Sequence, residues 1–96
     1  MIINLFKLTG DFAENKDTAQ SIRLEHILPG LTQGKTITID FDGVTGTTQS
    51  FVHALISDPI RQFGGGVLDR LKFKNCSPVV QKIIVIVTEY MQASDL

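Results

Sequence analysis

Asp40 and Asp42 flank Phe41 at the end of a β-branched run, and the chain then enters a hydroxyl-rich stretch, Thr45-Gly46-Thr47-Thr48-Gln49-Ser50, with His53 three residues later. Carboxylates two positions apart share one face of a strand, an arrangement that suits a Mg²⁺ pocket or a phosphoacceptor aspartate. Hydroxyls near a histidine suggest a nucleophile and its base. Neither chemistry is complete. No acidic pair follows the first strand, and the sequence offers no fifth sheet strand ending in the lysine that an aspartyl phosphoacceptor domain uses. Ser50 and His53 lack an orienting acid and an oxyanion hole at any recognisable spacing. The simpler reading gives Asp40 and Asp42 to turn formation and strand-end solvation, and Thr48 or Ser50 to helix capping.

Other reactive residues are equally sparse. His26 and His53 belong to no spaced metal motif and read as surface histidines. Gly64-Gly65-Gly66 lacks the Lys-Ser/Thr ending of a phosphate-binding loop and reads as a flexible turn. Cys76 is the single cysteine, which excludes an internal disulfide and any cysteine-cluster metal site; without a nearby histidine it reads as an inert packing residue. Arg70, Lys72 and Lys74 form a short basic stripe without interleaved exposed aromatics, better suited to protecting a sheet edge than to binding nucleic acid. No catalytic residue, cofactor or metal is expected, so the sequence argues against an enzyme.

Nine basic against ten acidic residues leave a formal charge of −1, which provides no field for phosphate backbones or anionic lipid. No segment approaches the roughly 20 apolar residues that span a bilayer, and the first residues lack the pattern of a secretory signal. The expected setting is a reducing cytoplasm, with neither nucleic acid nor membrane as partner.

The elements that would position these residues follow from periodicity. Ile2–Leu8 reads as a first strand closed by Thr9-Gly10. A helix capped by Asp17 or Thr18 runs to about Leu28, stopped by Pro29-Gly30, with Leu24, Ile27, Leu28 and Leu31 on one side and Ala19 and Ile22 elsewhere. Thr36–Phe41 alternates as a strand. Gln49–Phe63 is an amphipathic helix, with a kink or fresh start expected at Asp58-Pro59. Val67–Phe73 is a third strand, with Arg70 and Lys72 on its solvent face. Ser77 as cap and Pro78 at the first helical position open a last helix to about Gln92, whose Val79, Val80, Ile83, Ile84, Val87, Tyr90 and Met91 form the inner stripe. This gives one small α/β domain over residues 1–96, of order β-α-β-α-β-α, with a mixed or parallel sheet of three to four strands and packed helices.

The segment from Ile37 to Leu55 resembles the central strand, loop and helix of STAS domains, the sulfate-transporter and anti-sigma-factor-antagonist domains. It is more similar to a bacterial STAS-like family. The likeness rests on Asp40-Phe41-Asp42-Gly43-Val44, Ser50-Phe51, Lys72-Phe73-Lys74-Asn75 and Val79 to Ile83, and covers residues 36–92 well and the first 35 loosely. It implies a STAS-like fold and a regulatory module that docks a histidine-kinase-like ATPase, a binding that phosphorylation of a loop hydroxyl would switch. The familiar Asp-Ser-(Ser/Thr)-Gly loop falls on Thr48, Gln49, Ser50 and Phe51, so glutamine stands at the acceptor position; Thr47, Thr48 and Ser50 are left as possible acceptors, with Thr48 and Ser50 the candidates. Asn15-Lys16 stands where the bacterial family often has a hydroxyl-arginine pair. The expected docking surface comprises Asp42, Thr45, Thr47, Thr48, Gln49, Ser50 and His53. A structural or inhibitory protein acting through its sheet edge or by self-association is the alternative.

Overall fold

The first strand is shorter than its composition suggests. In the computed structural model, which describes residues 1–93, β1 spans Ile2–Asn4 and the chain then coils into a short helix, α1, Phe6–Thr9. The carbonyl of Leu5 accepts from the Leu8 and Thr9 N–H groups and from the Thr9 hydroxyl, and these bonds close the turn where a longer strand was expected. Two residues of strand, β2 at Phe12–Ala13, lie in what reads as loop.

The second apolar segment corrects the sequence reading in two places. Asn15, rather than Asp17 or Thr18, caps α2 (Lys16–Ile22), its side-chain oxygen accepting from both of those residues' N–H groups at 2.8 and 3.2 Å. Nor does the helix stop at Pro29-Gly30. It passes through a π turn, Arg23–Ile27, into α3, Leu28–Thr32. The N–H of Leu28 already reaches back five residues to Arg23, so the missing N–H of Pro29 falls where the regular ladder has been widened. Gly30 then lets the helix sit against Ile37, whose side chain a Cβ would overlap. The extra residue of the π turn also explains the imperfect wheel. Ala19, Ile22, Ile27 and Leu31 are buried together, the five-residue step from Ile22 to Ile27 crossing the π turn, while Leu24 is 51% exposed.

β3, Ile37–Asp40, is the middle strand of a parallel sheet ordered β1-β3-β5, with β5 at Leu71–Lys74. The register aligns Ile3 with Ile39, and Ile37 with Leu71, all buried on one face. The other face carries the exposed Ile2, Lys72 and Lys74 and the half-buried Thr38 and Asp40. Helices therefore cover one side of this sheet, and the alternation in β3 records that asymmetry.

α4 occupies Gln49–Phe63 and continues without a fresh start through Pro59, with Phe51, Val52, Leu55, Ile56 and Ile60 in the core. Asp58 does not cap a new helix; it pairs with Arg23, Nε to Oδ2 at 3.3 Å. Residues 67–69, expected in a strand, belong instead to a 3₁₀ helix, Gly65–Asp69. Arg70 is withdrawn from the edge. Its guanidinium donates to the Leu31 carbonyl at 3.1 Å and lies 5.7 Å from the centre of the Phe63 ring, leaving Lys72 and Lys74 to guard β5. The last helix, α5, spans Pro78–Ala93 and is capped by Ser77, whose Oγ accepts from the Val80 N–H at 3.3 Å. No helix among the described residues is long and apolar enough to cross a membrane.

Candidate functional site

The chain leaving β3 is shaped by local bonds before it reaches any surface. Oδ1 of Asp40 accepts from the Asp42 N–H and from Asn75 Nδ2, both at 2.9 Å, which folds the strand end into a turn and ties it to the end of β5. These bonds, that from Asn75 first, hold the Asp40 carboxyl below its ordinary pKa. Gly43 follows with φ +88°, a left-handed conformation, and the Phe6 ring covers the space its Cβ would need. Asp42 is exposed but belongs to this turn. Among the described residues no group of three acidic, histidine or cysteine side chains could hold a metal ion.

Beyond Val44 the chain zips onto the first loop. β4, Gly46–Thr47, pairs in parallel with β2, aligning Phe12 with Gly46 and Ala13 with Thr47. Three of the four threonine and serine hydroxyls expected at the docking surface are spent here. Thr45 donates to the Asp11 carbonyl at 3.2 Å while its side chain stays exposed. Thr47 is 7% exposed and donates to the Ala13 carbonyl at 2.7 Å, so it belongs to the interior rather than to a docking surface. Thr48 is half-buried and accepts from the Phe51 N–H at 3.1 Å as the cap of α4. Ser50, in the first turn of α4, is exposed, as is Gln49.

The structure brings Gln49, Ser50 and His53 together on one wall of an open groove of about 370 Å³. Ala54 and Val87 line its base, Lys16 at the start of α2 borders it, and Ile86 and Tyr90 of α5 form the opposite wall. The His53 and Tyr90 ring centres lie 6.5 Å apart across it. Lys16 is the one charged residue in the lining and the first turn of α4 presents its N–H groups nearby, so this end favours negative charge. The groove can accept an apolar side chain next to an acidic group. Asp42, Thr45 and Thr48 do not line it.

Lys16, Ile86 and Tyr90 escaped sequence reasoning. A signal was present in α5, where nine apolar residues between Val79 and Met91 are more than one buried stripe can use. Cys76 is half-buried, its thiol pushed upward first by burial and then by the negative charge of Asp40, which suits a packing role.

A family model described as a STAS-like domain of unknown function (DUF4325) matches residues 18–81, about two thirds of the chain. The match runs from α2 through the 3₁₀ helix into the first turn of α5, so it includes the helix that the sequence motifs covered only loosely. No curated protein and no solved structure matches the chain. With that match on a parallel α/β sheet, the chain belongs to the family of STAS-like domains of unknown function.

Proposed function

We propose that this chain is a regulatory binding module, without catalysis of its own, that docks a histidine-kinase-like ATPase through the groove beside Gln49, Ser50 and His53. The carrying observation is the meeting of an exposed first helical turn, a lysine and an apolar wall at the start of α4, the helix that follows the middle strand. Open α/β sheets bind their ligands at this end, where loops leaving the strands meet helix starts. Kinship with STAS-like domains supports a regulatory or protein-interaction role, and the ATPase partner is the finer reading that we add.

A switch at this surface would use Ser50. Transfer of the γ-phosphoryl group of ATP to its hydroxyl, with release of ADP, would place about −1.5 to −2 charges beside Lys16 and the start of α4. That position would neutralise the basic end of the groove and repel an acidic contact from the partner. Thr48 suits the role less well because its oxygen already caps α4. The sheet-edge alternative loses Arg70, whose guanidinium is engaged with Leu31 and Phe63.

Affinity capture from the native host tests the proposal. The wild-type chain should retain a histidine-kinase-like ATPase, a Ser50→Asp, His53→Glu variant should lose it, and Lys72→Glu should retain it. Capture of no such ATPase, or equal capture by all three chains, would reject the reading.

A further inference from the structure

α5 carries two apolar stripes where a surface helix needs one. Val80, Ile84, Val87 and Met91 are buried against the chain's own core. Val79, Ile83, Ile86 and Tyr90 form a second line at steps of four, three and four residues, the spacing of a coiled-coil seam. This line is open: Val79 is 60% exposed, Ile86 40% and Tyr90 65%, with Ile83 half-buried between them.

The order of residues along the second stripe identifies what would cover it. Val79 and Tyr90 have the same midpoint in sequence as Ile83 and Ile86. Laid antiparallel on itself about a two-fold axis at that midpoint, the stripe sets the small Val79 opposite the large Tyr90 twice, with Ile83 opposite Ile86 in the centre. Such a seam sets large against small side chains, an order that suits an isologous contact. Lys82 and Glu89 flank the stripe on the side turned away from the core, and neither forms an ion pair among the described residues. The antiparallel arrangement brings Lys82 of each copy towards Glu89 of the other. A parallel arrangement would set Lys82 near Val87 and leave both charges unmatched.

We infer that the outer stripe of α5 is a homodimer interface, closed by the same stripe of a second copy in antiparallel orientation. This inference does not depend on the ATPase reading, since its test uses the pure protein alone.

Sedimentation equilibrium of the purified chain across the micromolar range should give a mass approaching that of two chains. Tyr90→Glu, which puts a charge into the seam, should weaken self-association roughly tenfold or more. Lys82→Glu faces Glu89 with a like charge twice over and should weaken it by roughly fivefold. Adding Glu89→Lys to that variant should restore the wild-type constant, because residues seven apart on one helix do not touch and only the contact between copies can be repaired. Circular dichroism monitors folding, and the exposed charge pair decides should Tyr90→Glu unfold. A monomer at every concentration, a dimer indifferent to Tyr90→Glu in a folded chain, or a double exchange no tighter than Lys82→Glu alone would overturn the inference.

Discussion

Oδ1 of Asp40 accepts two hydrogen bonds within its own turn, and this accounts for a carboxylate pair that from sequence alone could have held a metal. Because its pKa is held down, its contribution to stability is complete above the unfolded-state value and is lost as pH falls through the folded one. Asn75 sits at φ 58°, so Asn75→Gly removes the side-chain bond without backbone strain. In that variant the Asp40 carboxyl should titrate closer to the ordinary carboxylate value, and denaturation curves below about pH 4 should depend less on pH than in the wild type. A carboxyl NMR titration checks the first, and urea denaturation at a series of pH values checks the second. Arg23 is the second residue whose role sequence did not reveal. Its Nη1 donates to the Ala54 carbonyl at 2.8 Å and its Nε pairs with Asp58, joining the π turn to α4 directly behind the groove. Arg23→Ala should cost about 1.5–3 kcal/mol in urea denaturation, the usual range for a lost charge-assisted bond.

The helix that carries Arg23 shows where periodicity stops informing. Alternation in β3 and the stripe of α4 were legible because each follows one regular period over its whole length. The α2 segment contains a π turn, which inserts one residue and rotates every later side chain, so no single wheel fits Ala19 and Leu31 together. Proline and glycine then suggested a stop, whereas Pro29 occupies a gap in the bonding and Gly30 a close approach to Ile37. Gly30→Ala should therefore destabilise by about 1–3 kcal/mol through overpacking, although alanine is the better helix former, and a thermal melt would read it. β2 and β4 were missed for another reason: two-residue strands leave no alternation to detect. Capping was partly legible. Thr48→Ala should cost about 1 kcal/mol while Ser50→Ala stays within about 0.5 kcal/mol, a contrast in chemical denaturation that separates the cap from the exposed hydroxyl.

Across the whole molecule, three parallel strands present one bare face, and the helices on the other side bring α4 and α5 together at the groove. The parallel α/β order was legible from sequence. The site was legible only along its α4 wall, because Tyr90 was assigned to a core that already had enough apolar surface and Ile86 was given no place at all. Those two residues belong to both the groove and the dimer seam, so partner complex and homodimer should exclude one another. Titrating the captured ATPase into the dimer should convert it to a complex containing one copy of this chain, a change readable by light scattering.

The recognition surface itself is tested most directly by amide hydrogen exchange on this chain, free and bound to the captured ATPase. Slowed exchange over Gln49–His53 and around Ile86–Tyr90, with Leu71–Lys74 unchanged, is the predicted footprint. Protection confined to Leu71–Lys74, with the first turn of α4 exchanging as in the free chain, would contradict it.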